Sequence, residues 1–497
     1  MENKSNSVFS FYVSKNDARS CELGKSVLFG TYVIQTEERT PLVSCCIEHR
    51  QLVILGLCVD VISGQDESLA ESILSKAKSL PDIIKQERYL GGKYVLFYRE
   101  GENYYCLPDA TASIPVYYTY HTEGPCASHN YRLAQSQGWE KDAEMMKIRR
   151  NGSLSQAMPY DYTEYKEVRQ LLPNHFLKMA TGEAVRFVNQ KAVESLLTPD
   201  EAAEITQPMI CNLAAYYMKH YAVRCPITSG RDSRVVLAAL KTEAAEPIFC
   251  YTIRQDHHSE NEQDLVIPKE LTTALKIPYE QIGEETVPDW LIREMDAQLG
   301  HRSYSLWMLK IAYTIYVHYG ANAIINGDII GQVGKCSLHR DISEKLATPG
   351  YFRCKLHNYS GEAKIALAQW LAEIRGSEER VNVFDLFSIE NRMGRWAAQE
   401  NAIYNALGQL YLNIFNSRAI IYPWTRVDRG LRKESKIHLS LLAQIEPELG
   451  KFPFEKDGNI LISLSKMNGL TYYLASYLKY WLQKCIFILK RGCETNG

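Results

Sequence analysis

Paired cysteine spacing is missing from this chain. Its 13 cysteines are scattered from Cys21 to Cys493 without one Cys-x-x-Cys, and Cys45-Cys46 is the only close pair. Disulfide frameworks and zinc ribbons need paired spacing, so free thiols in a reducing cytoplasm are expected. The 12 histidines include no His-Glu-x-x-His; His257 and His258 are adjacent, which suits neither one helix face nor an ordinary ligand pair. No apolar run is long enough to span a bilayer. The opening MENKSNSVFSFYVSKND lacks the apolar segment of a signal peptide. Charge of either sign is not in surplus: Lys+Arg 56 against Asp+Glu 58 gives −2. Nothing in that balance holds nucleic acid or an anionic membrane by a whole-molecule field. Internal repeats and low-complexity tracts are absent too.

What is present is globular material. Apolar residues make up 46% and charged residues 23% of 497 positions, which suits two large domains. The first 190 or so residues read as short strands rich in Val, Tyr, Leu and Ile: SVLFGTYVIQ, LVSCCIEH, QLVILGLCVDV, KYVLFYRE and NYYCLP, with Leu69–Leu80 one candidate helix. A boundary is expected near Leu197. Thr198-Pro199-Asp200-Glu201 has the form of a capping box opening a helix to about Tyr221. Strands then alternate with helices: strand 222–227, helix 232–241, strand 246–253, helix 260–275, helices within 290–319, strand 321–325. That rhythm predicts a parallel sheet with helices on both faces. From Gly361 onward the pattern is nearly all helical. In the tail LASYLKYWLQKCIFILKRG, Leu474, Leu478, Trp481 and Leu482 share one helical face and Lys479 and Lys484 interrupt it. A packed terminal helix is expected in preference to a membrane-surface helix.

In a doubly wound sheet, ligands sit beyond the carboxyl ends of strands. The first strand of the alternating unit ends in Thr228-Ser229-Gly230-Arg231-Asp232-Ser233-Arg234, and a helix follows. Gly and small hydroxyl residues let backbone N–H groups approach an anion, and the helix start adds about +0.5 charge. Asp232 could hold a magnesium ion. The alternative is an ordinary Ser-Gly turn with Asp232 or Ser233 capping the helix. Arg231 and Arg234, however, gather cations where the helix end is already positive, which a bound polyanion would make favourable.

This heptad resembles the pyrophosphate loop of the asparagine synthetase family, usually Ser-Gly-Gly-x-Asp-Ser; Ser229 stands for its first Gly. The likeness extends along most of the chain. YLGGKYVLFYREGENYYCLPDATASIPVYY and CASH look like the family's amidotransferase domain. VRQLLPNHFLKM resembles the stretch that closes it, with Asn174 for the Gly of Leu-Pro-Gly. Cys250-Tyr251-Thr252-Ile253 looks like the strand that contacts adenine. Ile324-Ile325-Asn326-Gly327-Asp328 resembles the second nucleotide loop, and LRKESKIHLSLLAQIEPELGKFPF the late segment whose Lys completes the site.

The resemblance implies an N-terminal β-rich Ntn-hydrolase-like sandwich (residues 1–195). It implies next a doubly wound parallel-sheet ATP-pyrophosphatase domain with a helical C-terminal part (196–497). There are departures. Glutamine-using members open with a processed N-terminal Cys as nucleophile; here residue 2 is Glu and no Cys precedes Cys21. The amidotransferase-like domain then lacks glutaminase activity, as in β-lactam synthetases and lasso-peptide cyclases. The second loop normally carries Gly-x-Gly-x-Asp-Glu; aligned on Asn326-Gly327, the Asp position is Gly331 and the Glu position Gln332, with Asp328 three residues earlier as the candidate substitute.

The function implied by the resemblance is that of an ATP-dependent, AMP-forming C–N ligase of the cytoplasm, with ATP and Mg2+ as cofactors. It takes a small-molecule or peptide carboxylate and an amine or ammonia. Thr228, Ser229, Gly230, Ser233 and Arg234 are expected on pyrophosphate, Arg231 as a further counter-charge, Asp232 and Asp328 on the metal, and Ile253 and Gly327 around adenosine. Lys436, or Lys433, is the candidate cation for the oxyanion. Glu390 is either an orienter of the amine or the partner of Arg392 or Arg395. The second reading is a degenerate nucleotide-binding or scaffold protein. A third, a tRNA- or nucleotide-modifying adenylating enzyme, is disfavoured by the absence of basic surplus and of a catalytic Cys pair.

Overall fold

The computed structural model describes residues 7–15, 23–150, 158–187, 196–244, 247–255, 259, 262–300, 304–336, 338, 341–375, 381–454 and 469–494. The adjacent pair His257-His258 lies outside them.

Among the described residues, twelve strands precede residue 187: β1 Phe11–Lys15, β2 Lys25–Phe29, β3 Tyr32–Thr36, β4 Leu42–Ile47, β5 Arg50–Asp60, β6 Leu90–Glu100, β7 Asn103–Pro108, β8 Tyr117–Thr119, β9 Cys126–Ala127, β10 Val168–Gln170, β11 His175–Lys178 and β12 Glu183–Arg186. They form two six-stranded sheets, ordered β10-β8-β9-β1-β3-β2 and β12-β11-β7-β6-β5-β4, and every pairing is antiparallel. Strand period explains how they stack. In β5, Val53, Leu55, Leu57 and Val59 point into the core between the sheets, where Phe11 meets Phe97 at 5.8 Å. The alternate residues Leu52, Ile54 and Cys58 face the helices Leu69–Lys76 and Leu80–Glu87 on the outside. The one helix expected over 69–80 is thus two; the first ends at Lys76, and Pro81 occupies the first turn of the second.

Thr198 closes the expected capping box: its hydroxyl accepts from the Glu201 N–H (3.2 Å) and its own N–H donates to the Glu201 carboxylate (2.7 Å). The helix it opens, Pro199–His220, leads into a second unit. Its strands are β13 Val223–Pro226, β14 Phe249–Arg254, β15 Tyr279–Gly283, β16 Ala323–Asn326 and β17 Leu410–Asn413, all parallel. β17 is the one strand among the described residues after Gly361, where the pattern reads as nearly all helical; four residues are too few to show a strand's period. The order β15-β14-β13-β16-β17 means that the chain winds one way from β13 and then the other way from β16. The crevice beyond the carboxyl ends of β13 and β16 is therefore the topological switch point, where such sheets take ligands. The other described elements of this unit are helices, the last being Gly469–Glu494. Among the described residues, no helix is long and apolar enough to cross a membrane.

Candidate functional site

Two loops meet at the switch point. After β13 the chain runs through Thr228, Ser229 and Gly230 into the helix Arg231–Glu243, with Gly230 as N-cap and no side chain capping the first N–H groups. These groups have no partner within a helix and face a dipole that favours anions. The second loop follows β16 as Gly327-Asp328 and enters one π-helical turn, Ile330–Gly334.

The two loops approach closely at two glycines. A Cβ on Gly327 would lie 3.2 Å from the Asp232 Cβ, and one on Gly331 would lie 2.6 Å from Asp232 Oδ2. Gly331, the position where the resemblance expects a metal-binding Asp, is thus the residue directly facing Asp232. The other oxygen of Asp232 accepts a hydrogen bond from His438 Nε2 at 2.7 Å. Burial alone would raise the Asp232 carboxyl. The His438 hydrogen bond and charge, then Lys335 and Arg231, outweigh that and hold it below the usual range.

Asp328 accepts from the Tyr411 hydroxyl at 3.0 Å. Burial, with the negative charge of Asp232 adding to it, pushes its carboxyl up to about 6 against the opposing Tyr411 bond and Arg392. Asp328 sits at the start of this second loop, and the charge of Asp232 contributes to raising its carboxyl. Like charges brought together in this way favour a cation between them.

The first loop is internally bonded. The Thr228 N–H donates to Ser233 Oγ (3.1 Å) and the Gly230 N–H to Thr228 Oγ1 (3.2 Å). Ser229 is buried, with its N–H (2.9 Å) and hydroxyl (2.6 Å) both donating to Asp264 Oδ1. Sequence patterns did not single out Asp264; nothing in its local string connects it to a loop 35 positions away. Ile253, at the end of β14, packs partly buried against the cluster around Tyr251 and Ile282.

Arg234 does not face the crevice as a counter-charge. Its buried guanidinium donates to the carbonyls of Leu449 (3.3 Å), Phe452 (2.9 Å), Pro453 and Ser229 (3.3 Å). It stacks with Arg231 on the Phe454 ring, at 4.1 and 4.5 Å to the centroid. Carbonyl oxygens from the late segment answer the cation at the helix start, so no polyanion is needed to explain it.

Glu390 also departs from expectation. It is fully buried and takes both Arg186 nitrogens (2.5 and 2.9 Å), Trp370 Nε1 (2.8 Å) and Asn174 Nδ2 (3.0 Å). Its ion-pair partner is Arg186 of β12, not Arg392 or Arg395; Arg395 is spent on Met158, Tyr162 and Gln170. With its oxygens so occupied, Glu390 fastens the first unit to the helical part instead of receiving a proton. Asn174 sits at φ +66°, the left-handed conformation that glycine otherwise supplies and asparagine tolerates.

Lys436 opens the helix Lys436–Ile445, which also carries His438. Its side chain is half exposed, 3.8 Å from Glu434, while Lys433 lies 3.7 Å from Asp341. The lysine whose charge acts on Asp232 is Lys335. His438 and Lys335 were missed because each is a lone residue without a motif. Three or more His, Cys, Asp or Glu residues grouped to hold a metal are not found among the described residues.

No protein-family model matches the chain, and no match is found among curated proteins. Solved structures give faint likenesses. NMN synthetase from Francisella tularensis is 13% identical, covering 40% of this chain and 93% of that one, at a TM-score of 0.19. Glutamine phosphoribosylpyrophosphate amidotransferase from B. subtilis, complexed with ADP and GMP, is 11% identical over 59% of this chain and 65% of its own, at 0.24. A structure of the allosteric regulatory enzyme of purine biosynthesis is 10% identical over 65% and 69%, at 0.25. At such scores they carry no argument, and function rests on the site itself.

Proposed function

We propose that this protein is an ATP-dependent amide-forming ligase. It converts a substrate carboxylate to an acyl-adenylate with release of pyrophosphate, then joins the acyl group to an amine or ammonia, without glutaminase activity of its own. The observation that carries this reading is the placement of the uncapped loop Thr228–Gly230 and Asp232 at the switch point between β13 and β16. A carboxylate is a poor electrophile, and expelling pyrophosphate needs positioning and charge neutralisation. The helix N–H groups with Gly230, Thr228 and Ser233 would take the phosphates. Ser229, tied to Asp264, would fix the loop.

The residues fit a magnesium ion. Asp232 keeps Oδ2 on the Gly331 side while His438 occupies Oδ1, and Asp328 shares the field. Mg2+ commonly takes one or two carboxylates and completes its shell with phosphate oxygens and water. Bound there, it would neutralise charge on the leaving group. Ile253 and Gly327 would flank the adenosine. Lys436, with Lys433 as its alternate, would steady the oxyanion as the amine attacks. This assigns residues 1–195 to a degenerate amidotransferase-like domain and 196–497 to the synthetase.

The test is exchange of labelled pyrophosphate into ATP across a panel of carboxylic acids and peptides. Exchange is expected with some member and is abolished by Asp232→Ala. Gly331 favours a second reading, nucleotide binding without turnover. A nucleotide-dependent rise in melting temperature with no exchange would select that one. Absence of both would sink the two together.

A further inference from the structure

The terminal helix Gly469–Glu494 packs on the protein with the opposite face from the one its apolar pattern predicts. Tyr473 stacks on Tyr351 at 5.0 Å, Lys355 donates to Tyr472 and Ser476 (3.1 and 2.9 Å), the Tyr480 hydroxyl donates to the Asn358 carbonyl (3.0 Å), and Gln483 lies 3.0 Å from His357. The tyrosine and polar side is inward. The apolar side is outward: Leu470, Leu474, Leu478, Trp481, Leu482 and Ile486 are 50–64% exposed. At 3.6 residues per turn these six fall within an arc of about 160°. Single exposed leucines are normal, but a continuous stripe over more than four turns marks a surface that something covers.

Charge says what covers it. Lys479 and Lys484 project just beyond the two edges of the arc, and Lys484 lies over the Trp481 ring at 4.7 Å. Along Gly469–Glu494 the sequence has three lysines and one arginine against a single acid, Glu494, at the last position. An apolar arc with an interfacial Trp, bordered by long cationic side chains, is the pattern of a helix lying in the plane of a bilayer. A second protein chain would need acidic groups set at both edges; an anionic lipid surface supplies them everywhere.

We infer that this helix docks the protein on an anionic membrane surface, with Leu474, Leu478 and Trp481 in the acyl boundary and Lys479 and Lys484 among the headgroups. The helix lies on the bilayer and does not cross it.

The test is co-sedimentation of the full chain with vesicles of phosphatidylcholine mixed with phosphatidylglycerol, and with phosphatidylcholine alone. Binding to the anionic vesicles is expected, weaker in high salt and much weaker on the neutral ones. Lys479→Gln and Lys484→Gln should each lower partitioning about fivefold, the weight of one cation near such a surface. Leu474→Glu with Leu478→Glu should reduce it by more than about tenfold, because burying apolar surface drives the docking, while leaving the melting temperature unchanged, because both residues are exposed on the protein. Retention in the supernatant with anionic vesicles overturns the inference. So does sedimentation-velocity evidence of a stable dimer that the double variant dissociates, since a second copy would then cover the stripe.

Discussion

His438 Nε2 stands 2.7 Å from Asp232 Oδ1 across 206 positions of chain. The histidine is fully buried, and its Nδ1 has no hydrogen-bond partner, so Asp232 is its one polar anchor in the described structure. The pair fixes which carboxylate oxygen faces the crevice. Groups that orient a metal ligand are worth roughly 10–100-fold in metal affinity. His438→Ala should therefore raise the magnesium concentration for half-maximal pyrophosphate exchange by about that factor, and His438→Gln should restore part of it. A lowered melting temperature with the magnesium midpoint unmoved would make His438 a packing residue only.

Gly331 makes a second prediction. Gly331→Ala forces a methyl to within 2.6 Å of Asp232 Oδ2, and overpacking of this kind costs about 1–3 kcal/mol. Gly331→Asp should be less stable than wild type in a chelator, because two carboxylates then repel. It should gain more than wild type in melting temperature when Mg2+ is added. An equal gain in both would show that position 331 does not border the ion.

Glu390 is predicted to matter for folding and not for chemistry. Burial pushes its carboxyl up, but Arg186, His175 and Asn174 more than reverse this. Removing one member of a buried pair leaves an uncompensated charge, at about 3–5 kcal/mol. Glu390→Gln should lower stability to urea by that order and leave exchange per folded molecule unchanged. Lost exchange at full stability would return Glu390 to the catalytic machinery.

Lys93 offers a pH signature. Its amine is buried and donates to Asn401 and Asn405 (both 2.7 Å) and the Tyr411 carbonyl (3.2 Å). Burial pulls it down to about 7, with Asp109 opposing. The unfolded chain holds this proton up to about pH 10.4. Between those values it binds more protons than the folded chain, so stability rises with pH from about 7, by up to about 1.4 kcal/mol per unit. Urea unfolding from neutral to mildly alkaline pH should show this rise, shallower in Lys93→Met. Parallel curves would mean that the lysine stays charged.

Much of the site was legible because its signals are local. The capping box at Thr198–Glu201 depends on four residues, and the loop Thr228–Gly230 needs only a strand end, small residues and a helix start. Both stand where the pattern places them. The alternating strands and helices of the second unit were legible for the same reason, since hydrophobic period is a property of consecutive residues. Short strands such as β17 escaped, having too few residues to show a period.

Consecutive residues alone placed strands β2 to β7 of the antiparallel sheets, the parallel unit after residue 196 and the loop carrying Asp232, while the short strands β1 and β8 to β12 went unread. Tertiary structure decided the partners: Arg234 to the late carbonyls, Ser229 to Asp264, Glu390 to Arg186, Asp232 to His438, and which side of the last helix faces solvent. The physical reason is range. Backbone conformation follows from neighbours a few residues apart, whereas a long cationic or carboxylate side chain is satisfied by whichever distant group the packing brings to it.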